Sequence, residues 1–334
     1  MLSKPEYKYT VSIIIPNWNG KQLLKKCLPS LTKQSFRDFE VIVVDNGSMD
    51  GSVEYVTTVF PDFKVITLDK NYGFAKAVNI GIKESKSKYL FLLNNDTEVE
   101  ENCLSCLVAA AKQHQDCGFI AARVRNFYHR ERIDSAGDII DAVGHAYNLG
   151  MGEKDGPKFT KPGYVFMVTA GGGLFKKEVF NRVGLFDEDF NTYMEDVDLC
   201  FRAQLQGFKG WYQPKAIIYH IHKATSSRIK PMMEYWQFRN MTQMIIKDFP
   251  KGLFLSNFNW LKIILVNINT IFWMITQGYF WQGIAVDFYI LSHLPTLLKK
   301  RAEIQKSKTV DDEYIINNVR EKKITFFGLL KQGL

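Results

Sequence analysis

Between Val11 and Val124 short apolar runs alternate with helical stretches, and this alternation leaves the chain few architectures. VSIII, FEVIVV, FKVITL, YLFLLN and CGFIAA are β-branched or aromatic, whereas QLLKKCLPSLTKQ, GSVEYVTTVF and AKAVNIGIKES read as helices. Continuously apolar strands are buried on both faces, so the pattern predicts an α/β fold with a mostly parallel sheet flanked by helices. In such open sheets ligands bind beyond the carboxyl ends of the strands.

Each of those ends runs into a polar loop. Ile15 leads to Pro16-Asn17-Trp18-Asn19-Gly20, Val44 to Asp45-Asn46-Gly47-Ser48, Leu68 to Asp69-Lys70-Asn71-Tyr72-Gly73, and Leu93 to Asn94-Asn95-Asp96. One such loop is ordinary turn chemistry, but four along one sheet edge line a hydrogen-bonding cleft. No GxxxxGK[ST] stretch speaks for a P-loop phosphotransferase, and no GxGxxG follows the first strand.

With 334 residues, 23% charged and 46% hydrophobic, the chain is neither disordered nor wholly membrane-embedded. Its net charge of +8, much of it in the last third, is compatible with nucleic acid, anionic lipid or phosphorylated substrates and selects none of them. Five cysteines, with Cys103 and Cys106 as a lone CxxC, predict buried thiols in a reducing compartment. No long apolar run precedes the first strand, so a cytoplasmic location without a signal peptide is expected.

A second block, Gly163 to His222, contains a helix from Glu195 to Gln206 bounded by Gly207, and a glycine run at Gly171-Gly172-Gly173 before the helix KKEVFNRV. Ile263 to Val286 carries no charge yet is interrupted by Asn267, Asn269, Gln277, Gly278, Gln282 and Gly283. It reads as a hairpin of amphipathic helices at an interface rather than a span, with Trp260, Trp273 and Trp281 as anchors. Lys299-Lys300-Arg301 and Lys322-Lys323 are placed to meet anionic lipid, and a homodimer interface is the alternative.

VSIIIPNWNG, VIVVDNGSMDGS, NYGFAKAVNIGI, LLNNDTEV, AGGGLFKKEVFNRVGLFDEDF, YMEDVDLCFR and FRN resemble, in order and spacing, the inverting family-two glycosyltransferases of the GT-A fold. The closest resemblance is to the bacterial rhamnosyltransferase-like branch of surface polysaccharide synthesis. It implies a GT-A domain over residues 1–240, with a nucleotide-binding half to about 124 and an acceptor half over 125–240, and a helical C-terminal region over 241–334. It implies transfer of a sugar, first of all rhamnose from dTDP-rhamnose, with a UDP-hexose as the other donor. The acceptor would be a saccharide or lipid-linked glycan at the inner face of the cell membrane, and no nucleic-acid partner is expected. A nucleotidyltransferase and a non-catalytic nucleotide-sugar binding module are the rival readings.

The resemblance also implies roles for residues. Pro16, Asn17, Asn19, Asp45, Asn71, Gly73, Asn79, Asn94 and Asn95 fall at nucleotide-binding positions, with Asp45 accepting from a pyrimidine N3–H or, in the structural alternative, closing an Asx-turn. Asp96 matches the last carboxylate of the family's DxD element and His220 a metal-side histidine; Mg²⁺ or Mn²⁺ suits such hard ligands. Asn94 replaces the first carboxylate, and His222 shares the strand face of His220. Asp196 matches the general base, Glu195 a residue that orients the acceptor, and Gly171, Gly172 and Asp198 positions beside donor or acceptor sugar. In the alternative, Asp198 and Arg202 form a surface helix pair.

Overall fold

The computed structural model describes residues 7–221 and 230–321. Its first half follows the predicted alternation: β1 (Tyr9–Asn17), α1 (Lys21–Thr32), β2 (Phe39–Asp45), α2 (Ser52–Val59), β3 (Lys64–Thr67), α3 (Phe74–Glu84), β4 (Ser87–Leu93), β5 (Thr97–Val99), α4 (Cys103–Gln113) and β6 (Cys117–Asn126). Next are the short strands β7 (Ile133–Ser135), β8 (Asp138–Ile140), β9 (Ala146–Asn148) and β10 (Gly163–Val165). Then come β11 (Gly172–Lys176), α5 (Lys177–Val183), α6 (Glu195–Leu205) and β12 (Lys209–His220). The C-terminal part is helical: α7 (Lys230–Asp248), α8 (Lys251–Leu255), α9 (Asn259–Thr276), α10 (Phe280–Ser307) and α11 (Asp312–Asn318).

The main sheet has the order β10-β12-β6-β11-β4-β1-β2-β3. β4, β1, β2 and β3 are mutually parallel, and β6 and β12 are parallel to each other. β11 is antiparallel to both β4 and β6 and joins the two groups. Side-chain alternation builds a core on each face. Ile13 and Ile15 of β1 pack with Leu24 of α1 and Leu104 of α4, whereas Ile14 packs with Val78 of α3. Each such side chain, fully buried, contributes about 1.5–3 kcal/mol. The glycine run opens a strand rather than separating strand from helix: Gly172 and Gly173 belong to β11, opposite Leu93 and Leu92.

The apolar cluster on the α3 face continues from Phe119 and Phe175 through Phe201 to Phe249, Val266, Met274, Val286 and Ile315. The C-terminal helices therefore share a core with the sheet, and the boundary expected at residue 240 falls inside α7. α9 and α10 form the expected hairpin, turning at Gly278 with φ +79°. Its inner positions Ile263, Val266, Met274, Gly283, Val286 and Leu297 are buried at helical spacing, while Ile264, Ile268, Phe272, Ile284, Phe288 and Leu291 are exposed. The segment Lys251–Thr276 is long and apolar enough to cross a membrane by length and composition.

Two C-terminal expectations change. Trp273 is turned inward, leaving Trp260 and Trp281 outside. Lys300 is engaged by Asp187 at 2.7 Å and Asp189 at 2.7 Å, and Arg301 donates to the carbonyls of Ile246 and Phe249, so neither side chain is held out toward lipid. Lys322, Lys323 and His222 lie outside the described residues. Among the described cysteines none is in a disulfide; Cys27, Cys103, Cys117 and Cys200 are buried, and burial pushes the Cys27 thiol up to about 12.

Candidate active site

The loops after β1, β2, β3 and β4 meet at one edge of the sheet. Asn17 Nδ2 donates to Asp45 Oδ2 at 2.9 Å, and Asn17 Oδ1 accepts from Asn95 Nδ2 at 2.7 Å, so three strand ends are tied in one chain of hydrogen bonds. Gly20 completes the contact: a Cβ there would strike the side chains of Asn95 and Asn17. Asp45 Oδ1 accepts from the Ser48 N–H at 2.8 Å, so the Asx-turn alternative is present alongside any role in base binding. Two oxygens carry about four lone-pair sites, so these two bonds do not exhaust Asp45.

Asn19 caps the same rim, its Oδ1 accepting from the Met49 N–H at 2.9 Å. Asn46 links the second and third loops: its Nδ2 donates to Asn71 Oδ1 at 2.9 Å and its Oδ1 accepts from the Tyr72 N–H at 2.9 Å. Gly73 has φ +87°, and a Cβ there would collide with the Asn191 side chain, so glycine is required where the third loop touches the loop before α6. Asn79 is not on the rim. It is buried in α3, donating to the Phe186 carbonyl at 2.9 Å and accepting from the Phe186 N–H at 3.0 Å, because its helix face turns to the α5–α6 connection.

Beyond β4, the Asn94 N–H donates to the Gly171 carbonyl at 3.2 Å, and a Cβ at Gly171 would lie 2.7 Å from Asn94 Nδ2. The glycine thus lets β11 approach the Asn94-Asn95-Asp96 loop. His220, at the end of β12, faces that loop. Its Nε2 is 3.4 Å from Asp96 Oδ1 and its Nδ1 3.3 Å from Asp134 Oδ2. Burial disfavours its charge, yet the hydrogen bonds to Asp134 and Asp96 prevail and raise its pKa to about 9. Asp96 Oδ1 is buried, and the His220 ring is the charged group that it faces.

With the His220 proton displaced on binding, this donor set fits a hard divalent ion that takes its remaining ligands from a substrate diphosphate. Such ions are held by one or two carboxylates plus phosphate oxygens, and a carboxylate behind a ligating histidine orients it. Among the described residues no group of three or more His, Cys, Asp or Glu side chains forms a closed site. Asp134 is not legible as a site residue from the sequence; its one signal there is the acidic run IDSAGDIID, which places three aspartates within eight residues.

The loop before α6 is strained. Asn191, Tyr193 and Met194 have φ of +61°, +67° and +67°, a left-handed conformation costly for residues with a Cβ. It presents Glu195 and Asp196 at the helix start. Asp196 is half-buried and lines a cavity, its Oδ2 accepting from the Ala170 N–H at 3.1 Å. Glu195 is buried, with Oε2 lacking a hydrogen-bond partner among the described residues, and burial followed by the charge of Asp196 pushes its carboxyl well above the usual range. Burial also raises the Asp196 carboxyl, against backbone N–H groups that lower it.

Asp198 lies elsewhere. It is fully buried on the opposite face of α6, bound to Arg202 at 2.7 Å and Lys247 at 2.7 Å, so it neither reaches a sugar nor forms a surface pair. Lys247 also reaches Asp187 at 2.5 Å, so this charge cluster clamps α7 to α6 and to the turn beside it. The FRN motif serves the loop: Asn240 Nδ2 donates to the carbonyls of Phe190, Thr192 and Tyr193 at 2.9, 2.9 and 2.8 Å.

This arrangement has known relatives. The chain is 29% identical over 228 residues to an uncharacterized protein, y4gI, of Sinorhizobium fredii, covering 65% of this chain and 25% of that one. It is 23% identical over 253 residues to the poly-beta-1,6-N-acetyl-D-glucosamine synthase of Staphylococcus epidermidis, covering 75% of this chain and 59% of that one. The chain thus spans less than two thirds of the length of either relative. A crystal structure of GalNAc-T7 with UDP, GalNAc and Mn²⁺ matches with a TM-score of 0.62 at 17% identity, covering 79% of this chain and 51% of that one. That of S. aureus TarS matches at 0.51 and 18%, covering 89% and 55%. At such identities the likeness establishes the fold, which is GT-A. The profile of glycosyl transferase family 2 matches residues 12–184, slightly more than half of the chain, and the chain belongs to that family.

Proposed function

We propose that the chain transfers a sugar, with inversion, from a nucleoside-diphosphate donor to a saccharide acceptor in the synthesis of a surface polysaccharide. The observation that carries this reading is the convergence on one sheet edge of the tied rim Asn17–Asp45–Asn95, the pair Asp96 and His220, and Asp196 across β11. Asp45, Asn17 and Asn19 grip the nucleoside, with Pro16, Asn71, Gly73 and Asn94 shaping the rim. Asp96, with His220 once it has released its proton, would hold Mg²⁺ or Mn²⁺, which when bound would neutralise charge on the diphosphate. Family membership, the synthase relative and the Mn²⁺ and UDP of the GalNAc-T7 structure support this reading.

The acceptor hydroxyl gives its proton to Asp196 as its oxygen bonds to the anomeric carbon. The bond from that carbon to the diphosphate oxygen breaks, and the electron pair leaves with the nucleoside diphosphate. One carboxylate suffices, so the anomeric centre inverts in a single displacement. A base raised by burial is better matched to neutral pH than an exposed aspartate. The branch resemblance favours rhamnose from dTDP-rhamnose as the donated sugar.

The exposed outer face of α9 and α10 supports peripheral attachment to a membrane, where a lipid-linked acceptor would be met. Trp281 and Phe288 are 75% and 74% exposed, and Lys299 is exposed several turns further along α10. The test of the catalytic reading is a product assay with dTDP-rhamnose, UDP-glucose and UDP-N-acetylglucosamine against glycan acceptors. Release of a nucleoside diphosphate with an inverted product supports it, and pyrophosphate release overturns it. Asp196→Asn should bind donor and lose transfer; if Glu195→Gln loses transfer instead, the base is Glu195.

A further inference from the structure

The cavity that holds Asp196 extends away from the nucleotide rim. About 410 Å³ in volume, it lies between the β8–β9 ribbon, the segment around Thr169, the start of α6, α7 and the inner face of α9. That size lies in the range of small-molecule sites, about 300–1,000 Å³. Asp138, Thr169 and Asp196 stand on its polar side, and Trp273 and Met274 come from α9.

Asp138 and Asp196 are held by one short segment. The Asp138 N–H and C=O exchange hydrogen bonds with Met167, each at 3.2 Å, and three residues on the Ala170 N–H donates to Asp196. The Ser135 hydroxyl donates to Asp138 Oδ1 at 2.7 Å, and the Asn148 side chain and the Thr169 backbone also hydrogen-bond the carboxyl, which fixes it in the cavity wall with one of its roughly four lone-pair sites left. Nothing in donor binding uses Asp138, Asn148 or Trp273. A fixed carboxyl beside the base, with an indole on a wall where Phe238, Met241 and Met274 alternate with Glu234 and Gln237, is a composition that suits a ring bearing both hydroxyls and C–H faces.

We infer that this cavity is the acceptor site and takes a pyranose ring, with Asp138 hydrogen-bonded to a hydroxyl neighbouring the one Asp196 deprotonates and Trp273 against the apolar ring face. The inference rests on the glycosyl-transfer reading above for the role of Asp196. It gives α9 two duties, since the helix whose outer face is exposed and apolar also forms the wall of the acceptor site. The acceptor sugar would then sit directly beneath the hairpin.

The test uses the full chain, saturated with UDP and Mn²⁺, and the methyl glycosides of glucose, N-acetylglucosamine and rhamnose as probes in saturation-transfer NMR, alongside acceptor kinetics. Asp138→Asn and Trp273→Ala should each raise the acceptor KM about tenfold or more, as expected for loss of one well-placed contact. kcat should change much less, UDP affinity should be unchanged, and the glycoside signal should be lost. Trp273→Phe should retain most of the acceptor affinity, which a merely structural role at that position does not demand. Unchanged acceptor KM and glycoside signal in both variants, with UDP still bound, overturns the assignment. A wild-type protein that binds glycosides through these residues yet transfers no sugar overturns the transfer reading and leaves the cavity assignment standing.

Discussion

Replacing Asn240 by alanine tests whether the strained loop before α6 is held in place or merely found there. The two hydrogens on Nδ2 serve three carbonyls, those of Phe190, Thr192 and Tyr193, and Oδ1 accepts from Arg239 Nε at 2.9 Å and Gln243 Nε2 at 3.1 Å. Each buried partner left unsatisfied costs about 1–3 kcal/mol, and water reaching the half-buried Thr192 and Tyr193 reduces the sum to about 2–4 kcal/mol. Three non-glycine residues at positive φ store about 1–3 kcal/mol each, so the restraint and the strain are of the same order. Without Asn240 the loop relaxes, and Asp196 moves with it. The melting temperature should fall by about 3–6 °C, and kcat by about 100-fold for a displacement near 1 Å. UDP affinity, which depends on the rim, should hold. Thr242→Ala, which loses only a bond to the carbonyl of Phe238 on the same helix, is the control and should change neither quantity greatly. Differential scanning calorimetry and initial-rate assays measure both effects. An Asn240→Ala protein with wild-type kcat would refute the view that this amide sets the position of the base.

Three further outcomes are expected. Asp96→Ala should abolish the part of UDP affinity that depends on Mg²⁺ or Mn²⁺, because it removes the buried oxygen facing His220; calorimetry with and without metal measures it, and unchanged metal dependence excludes Asp96 as ligand. Burial, then the charge of Asp196, push the Asp138 carboxyl from 3.8 up to about 7, against the pull of the Ser135 hydroxyl, so its contribution to stability is full below pH 4 and lost as pH rises through 7. Asp138→Asn should therefore be more stable than wild type at pH 8, by up to about 4 kcal/mol, with the difference vanishing near pH 4; His145, Glu234 and Asp196 share the cavity and are common to both proteins, so denaturant titrations of the pair isolate Asp138. Trp281→Glu with Phe288→Glu should abolish flotation with anionic vesicles while leaving the melting temperature near wild type, since both side chains stand outside the core; retained flotation rules out this face as the membrane contact.

The strands and helices of the first half were legible because each is specified locally. VSIII, FEVIVV and YLFLLN are apolar at every position or nearly so, which suits a strand covered on both faces, and β1, β2 and β4 occupy those residues. The polar rims were legible for the same reason: Asn, Asp and Gly at a strand end serve turn and ligand alike, and the sheet brings Asn17, Asp45 and Asn95 together by parallel pairing of their strands. The helical hairpin of α9 and α10 could also be read, since its apolar residues and its breaker at Gly278 lie in one continuous stretch.

Long-range placement decided what local pattern left open. Asp198, two residues beyond Asp196, belongs to a buried ion cluster only because Lys247 arrives from α7 to meet it. Asn79 is held by Phe186, 107 residues away, so its spacing within a rim motif gave no sign of its partner. Asp134 stands behind His220 because β7 pairs with β6, and Asp138 reaches the cavity of Asp196 through a bridge to Met167. Lys300 could not be told from a lipid-facing lysine until the turn carrying Asp187 and Asp189 was folded against α10. A pattern of apolar and polar residues specifies which face of an element is buried, because burial is a property of the residue itself. Which carboxylate is paired, which is raised by its neighbours and which faces a substrate depends on partners distant in the chain, and only the tertiary structure brings those together.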